Sequence, residues 1–402
     1  MSSVRQTVRG LRGGGTGWTL LSVALGWLFV NGFRVVLPAL LPQVKADFAI
    51  GNASAGFALT VLWAMYALVQ FPGGVVADRT GERRLLIAGM ALGTLSLASL
   101  YVAPVFALFL LACAGFGLGA GLFGTPRDML LSRTFPDADN TAYSVTFGAG
   151  SLGAAGLPFL ATEIATRTDW RTAVAVLLPA YALLAVALWR VLPRPAANGE
   201  GLSVRATARK TGGALTNRSV VLASGGMILF IFTYQALIGF LPTYLVEAKG
   251  LDQGVAAALF GLLFVVGALT QPVFGHLADH YGERTTVLGL VVLATGTLLA
   301  LPFLSSGLLL YVLVPILGVR IAIGPVTSAY IVRNLPVSVQ GTGWGLLRTA
   351  FFGLGATGSS VVGLFADAGF FDLGFVVLAV LTAAIAPFWL FVRAPAEPEL
   401  AA

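Results

Sequence analysis

Gly74-Val-Val-Ala-Asp78-Arg79-Thr-Gly81-Glu82-Arg83-Arg84 recurs, little changed, as Gly275-His-Leu-Ala-Asp279-His-Tyr-Gly282-Glu283-Arg284. Charges and glycines at this spacing make a tight turn between two apolar helices, since glycine turns the chain at little steric cost and the charges avoid hydrocarbon. Asp78 and Asp279 stand 201 residues apart in a chain of 402, so the turn holds the same place in each half. The echo runs upstream, where Ala67, Leu68 and Gln70 return as Ala268, Leu269 and Gln271. Leu37-Pro38 and Lys45 match Leu241-Pro242 and Lys249, and Arg133 with Pro136 matches Arg333 with Pro336.

Composition sets the environment. A chain that is 57% hydrophobic and 10% charged, with mean hydropathy +0.89, has too little polar surface for a soluble globule and belongs in a bilayer. Stretches long enough for a helix of about 20 residues run at 18-42, 53-77, 85-103, 105-131, 141-162, 171-192, 219-245, 254-277, 285-304, 307-332, 341-365 and 371-392. The expected fold is an all-α membrane protein, twelve transmembrane helices in two pseudo-symmetric six-helix bundles at 18-192 and 219-393. A lead (1-17), a polar linker (193-218, with Arg205, Arg209, Lys210 and Arg218) and a tail (394-402) complete the chain.

Lys and Arg give the orientation, because short cytoplasmic loops retain positive charge. With both termini cytoplasmic, most of the 24 basic residues, Arg127 among them, fall on that side, against Lys45, Arg167, Arg171 and Lys249 outside. The expected location is the plasma (inner) membrane. The net charge of +7 is spread over membrane-flanking loops without interleaved aromatics, which argues against nucleic-acid binding. Cys113 is the single cysteine, which excludes an internal disulfide and a cysteine-rich metal site. No nucleotide loop or nucleophile beside a histidine points to an enzyme or a cofactor, and nothing demands an oligomer, so a monomer is expected.

The repeated turn resembles the Gly-x-x-x-Asp-Arg-x-Gly-Arg-Arg loop of the major facilitator superfamily, found between helices 2 and 3 and more degenerately between helices 8 and 9. The resemblance covers the whole chain and implies a transporter working by alternating access, with the substrate site between the halves near mid-membrane. It further implies an inner gate formed by Gly74, Asp78, Arg79, Gly81 and Arg83 with Gly275, Asp279, Gly282 and Arg284. There Asp78 would meet the positive N-terminal end of span 11, while Arg79, Arg83 and Arg84 would find carboxylates or lipid phosphates. This chain departs from the pattern at Glu82, where a basic residue usually stands, and at His280. Glycines such as Gly117, Gly121, Gly148 and Gly156 are expected to allow close helix approach.

A charge inside a span costs about 2.5–3.5 kcal/mol on insertion scales, so each needs a reason. Arg34 lies sixteen residues beyond Trp18, about 24 Å along a helix, and Arg320 and Arg348 also fall within spans. The nearest acids, Asp128 and Glu163, sit toward span ends. Arginines without acids, facing a wet cavity, make an anion site of bidentate contacts. Contacts to helix carbonyls or snorkelling are the structural alternative for each. Asn31 and Trp27 share the helix face of Arg34, Tyr234 and Gln235 occupy the equivalent place in span 7, and Trp344 lies on the face of Arg348. These residues are the candidate substrate contacts.

Arg34-Val-Val-Leu-Pro-Ala-Leu-Leu-Pro42 is similar to span 1 of the organophosphate:phosphate antiporters, in which an arginine stands eight residues before such a proline and binds substrate. Their second arginine would fall at Tyr234, so the resemblance implies an organic anion read by Arg34 and Arg348 in place of strict phosphate exchange. Gln70 and Gln271 stand where nitrate porters carry an arginine pair, which disfavours nitrate and nitrite. Cys113 replaces an arginine often tied to coupling, so exchange or uniport is expected over proton symport. Span 5, from Gly148 to Pro158, matches the Gly-Pro motif of drug antiporters loosely. The reading is a porter of a small organic anion, with multidrug efflux and a non-transporting receptor as alternatives.

Overall fold

The computed structural model describes residues 16–136, 139–193, 217–305, 307–335 and 340–392, with backbone alone at 78, 139–140 and 340–342. Most of the expected lead, linker and tail, with Arg205, Arg209, Lys210, Arg393 and Pro336, therefore lies outside the described residues, as does the side chain of Asp78. Among the described residues, twelve helices are long and apolar enough to cross a membrane: Thr16–Phe48, Asn52–Ala77, Glu82–Val102, Phe106–Thr134, Thr141–Arg167, Trp170–Val191, Arg218–Glu247, Gln253–Tyr281, Glu283–Phe303, Leu308–Arg333, Gly343–Asp367 and Phe371–Leu390. They are spans 1 to 12 below. The main difference from the sequence reading is that span 1 continues to Phe48, which takes Lys45 from the loop into its last turn.

The repeated turn has one backbone solution in both halves. Gly81 (φ 85°) and Gly282 (φ 83°) each end one helix and begin the next. A side chain there would meet the left-handed penalty, which is why glycine stands at both places. The face of the molecule carrying these turns is called the turn face, and the opposite one the far face.

Glycine also sets how the helices pack. A Cβ on Gly153 of span 5 would lie 2.0 Å from the Leu28 carbonyl oxygen of span 1, and one on Gly358 of span 11 would lie 2.2 Å from that of Phe232 in span 7. The same holds for Gly117 against Leu62 (2.1 Å, spans 4 and 2) and Gly318 against Leu263 (2.0 Å, spans 10 and 8). Each half thus uses the same two hydrogen-for-methyl joints at matching positions, which is the pseudo-symmetry in physical form. Gly121 is equally tight, whereas Gly148 and Gly156 face open space and make no close approach.

Contacts between the halves gather toward the far face. Lys45 pairs with Glu247, and Gln43 donates to Gln253 at 3.2 Å. The backbone N–H groups of Asn52 and Ala53 donate to the two carboxylate oxygens of Asp367 at 2.6 and 2.8 Å. The Thr60 hydroxyl donates at 2.8 Å to the carbonyl of Ala356, where span 11 breaks.

Candidate functional site

Trp27, Asn31 and Arg34 rise on one face of span 1 at helical spacing and border a cavity of about 260 Å³ between the halves. Trp63 and Tyr66 of span 2, Arg127 of span 4, Tyr234 of span 7, Gln271 of span 8 and Arg348 with Phe352 of span 11 complete its polar and aromatic wall.

Arg34 is 6% exposed. Its guanidinium lies 5.0 Å from the ring centres of Trp27 and Trp63 and 4.9 Å from that of Tyr66. Three rings packed this close restrict the directions from which an acceptor reaches its N–H groups. Nη2 donates to the Asn31 side-chain oxygen, and Asn31 is itself fixed by donating to the Gly150 carbonyl at 2.9 Å. Nε is buried without a partner. Arg348 approaches from the other half, Nη2 lying 3.5 Å from the Tyr66 hydroxyl, and its Nε also lacks a partner.

Arg127 is the residue that the loop assignment misplaced. Far from flanking the membrane, it is 2% exposed in span 4, 3.8 Å from the Trp27 ring and 5.0 Å from that of Phe147. Nε and Nη2 donate to one oxygen of Asp128 at 2.9 and 2.6 Å, and Nη1 has no partner. The signal was available, because the apolar run continues through Met129-Leu130-Leu131 beyond it.

Other candidates separate. Arg320 does not border the cavity: it is enclosed where span 10 tightens into a 3₁₀ turn at Leu317–Ala322, donating to the Thr233 hydroxyl at 2.7 Å and the Thr233 carbonyl at 3.3 Å. Gln235 is fully buried where spans 7 and 11 meet, its carbonyl accepting from Ser359. Asn31, Arg34, Tyr234 and Arg348 do meet at the cavity. Trp344 borders a second cavity of about 390 Å³ toward the turn face, together with Gln70, Gly74, Asp128 and Tyr143, and Arg348 is the shared wall.

At the turn face Gly81 and Gly282 form the two turns, and one expected gate residue has a partner other than the one expected. Arg83 donates to the Trp189 carbonyl and not to a carboxylate. Asp279 and Arg284 are exposed. Glu82 is buried against Arg133 at 2.5 Å, and Glu283 pairs with Arg333.

The sequence pattern of the major facilitator superfamily matches residues 20–357. The nitrite extrusion protein of Bacillus subtilis is 25% identical over 320 residues, covering 77% of this chain and 73% of its own. The multidrug resistance protein Stp of Mycobacterium tuberculosis is 23% identical over 427 residues, covering 92% and 77%. The cis,cis-muconate transport protein of Acinetobacter baylyi is 25% identical over 375 residues, covering 87% and 88%. Among solved structures, a bacterial homologue of the human lysosomal transporter Spinster, in an inward-facing and unoccupied conformation, aligns with TM-score 0.79 and 15% identity over 96% of this chain and 100% of that one, a likeness of fold alone. Twelve spans in two glycine-jointed halves around a central cavity, matched by a family pattern over most of the length, identify an integral multi-pass membrane transporter and not an enzyme: the chain belongs to the major facilitator superfamily.

Proposed function

We propose that this transporter carries a small organic anion across the plasma membrane by alternating access, as a monomer with both termini cytoplasmic. The observation that carries the reading is the convergence of Arg34, Arg127 and Arg348 on a cavity that no carboxylate side chain borders among the described residues. Guanidiniums keep their charge and match carboxylate geometry, so the binding partner they favour is an anion. The far-face contacts close one exit, while the second cavity continues from Arg348 toward the turn face. This arrangement supports one state of an alternating cycle. Exchange or uniport is the expected mode, Asp128 being the carboxylate nearest the site.

Multidrug efflux is the second reading, favoured by the aromatic wall and by the name of the Mycobacterium tuberculosis relative. The rings argue against lipophilic cations, because Trp27, Trp63, Tyr66 and Phe147 already face guanidiniums. A receptor that binds without transport is separated from both by the same experiment. Labelled mono- and dicarboxylates, sugar acids and phosphate esters are tested for uptake and counterflow in proteoliposomes, with wild type beside Arg34→Ala and Arg348→Ala. Saturable anion transport lost in the variants supports the reading. Dye extrusion equal in all three, without anion transport, rejects it for efflux, and ligand binding without accumulation points to the receptor.

A further inference from the structure

We infer that the central site selects a compact dicarboxylate over a monocarboxylate, an inference that rests on the anion reading above. Three guanidiniums border the cavity, and one carboxylate stands beside it. Asp128 is committed to Arg127, one oxygen accepting from both Nε and Nη2. Among the described residues, Arg34 and Arg348 are met only by neutral groups, the Asn31 amide and the Tyr66 hydroxyl. Two positive charges therefore stand uncompensated beside the same Tyr66 side chain, Arg34 against its ring and Arg348 at its hydroxyl.

Buried charge is costly unless paired. A monoanion balances only one of the two positive charges, whereas a molecule with two carboxylates balances both. Arg34 belongs to span 1 and Arg348 to span 11, so such a molecule also ties the two halves together through its charges. Size agrees with a small solute: the 260 Å³ cavity is many times the roughly 10–15 Å³ that one water needs on the same measure, so a short-chain diacid fits. Ile238, Phe264 and Ile321 give that chain an apolar wall.

Trp27 and Trp63 border the cavity, so tryptophan fluorescence of the purified full-length protein reads binding without requiring transport. Succinate, glutarate and adipate are titrated against their own monomethyl esters, which keep the shape and halve the charge. At least one diacid is expected to quench saturably with a Kd about tenfold or more below that of its ester, a difference of about 1.4 kcal/mol. Arg348→Gln is expected to bring that ratio down to about two or less, and Arg34→Gln gives the same reading from the other half should either variant fail to fold. A diacid bound no more tightly than its ester overturns the dicarboxylate inference and leaves an anion carrier standing. Failure of every acid and every ester to bind overturns this inference, and failure of sugar acids and phosphate esters to bind in the same titration overturns the anion reading with it.

Discussion

Glu82 and Arg133 form an ion pair at 2.5 Å on the turn face, and the second half repeats it with Glu283 and Arg333. Each glutamate opens the helix after a left-handed glycine and is nearly buried, while each arginine ends the helix behind it and stays more than half exposed. The acid therefore also benefits from the positive end of its own helix. A basic residue in its place would face Arg133 at a helix N-terminus, which explains why this chain is locally coherent with the polarity reversed. Glu82→Arg is expected to lower the thermal midpoint of the purified protein, and Glu82→Arg with Arg133→Glu to recover part of the loss. Because Arg133 is largely solvated, the pair itself is worth about 1 kcal/mol or less. A double variant no better than the single one would show that burial of Glu82, and not the pairing, carries the effect.

Asn31 positions Arg34 and does not supply charge. Its side-chain oxygen accepts a hydrogen bond from Nη2 while its NH2 donates to the Gly150 carbonyl, so span 5 helps to hold Arg34 in place. Asn31→Leu keeps the volume and removes the tether. A charge-assisted hydrogen bond is worth about 1.5–3 kcal/mol, which predicts anion affinity weaker by about tenfold or more, with little change in thermal stability. Titration of Asn31→Leu beside Asn31→Gln checks this, and an unchanged Kd in both would remove Asn31 from the site.

How much of this was legible beforehand varies with the kind of signal. The spans and the duplication were plain, because hydrocarbon demands long apolar runs and a left-handed turn demands Gly81 and Gly282. Arg34 and Arg348 were legible as charges with no acid nearby. Arg127 was assigned to the cytoplasmic side although it falls within the run 105-131, because nearness to the end of an apolar run does not reveal which way a side chain points. Arg320 met the same test of charge in hydrocarbon, yet a neighbouring helix supplies its acceptors, and Thr233 gives no sequence signal of that role. Glycine spacing alone did not separate Gly117, which touches a carbonyl, from Gly148, which touches nothing.

Asp367 closes the far face by capping a helix of the other half. Its two oxygens accept from the first N–H groups of span 2, which have no partner within their own helix. Asp367→Ala removes this cap and Glu247→Gln weakens the pair with Lys45. The combined variant is expected to spend more time open to the far side. A cysteine at Ser151, which borders the cavity, in a Cys113→Ser background reports this through faster labelling by a membrane-impermeant thiol reagent added from that side. Equal labelling rates would mean that helix packing alone holds the face shut.

The glycine joints predict a graded stability series. Gly153→Ala and Gly358→Ala drive a methyl to within 2.0 and 2.2 Å of a carbonyl oxygen, so spans 1 and 5, or 7 and 11, must separate. Backbone atoms yield less readily than side-chain tips, and overpacking of this kind typically costs about 1–3 kcal/mol or more. Gly148→Ala and Gly156→Ala meet nothing within 4 Å and are expected to be neutral or slightly stabilising. Thermal midpoints in detergent check the order, and a loss at Gly148 equal to that at Gly153 would contradict it.

Arg320 and Arg348 provide the last contrast, since each is an arginine inside the C-terminal half. Arg320 donates to both the hydroxyl and the carbonyl of Thr233 and so fastens the 3₁₀ turn of span 10 to span 7. Replacing it removes a structural tie, whereas replacing Arg348 removes a charge from the cavity. Thr233→Val withdraws one acceptor while the guanidinium keeps the carbonyl, and leaves a buried donor short of a partner at a cost of about 1–3 kcal/mol. The expected result is a lower thermal midpoint for Thr233→Val and Arg320→Met with anion Kd unchanged in whatever protein folds, against a weakened Kd and a retained midpoint for Arg348→Gln. A Kd that moves with Arg320 as far as with Arg348 would place Arg320 in the site after all, through a rearrangement of span 10 when substrate binds.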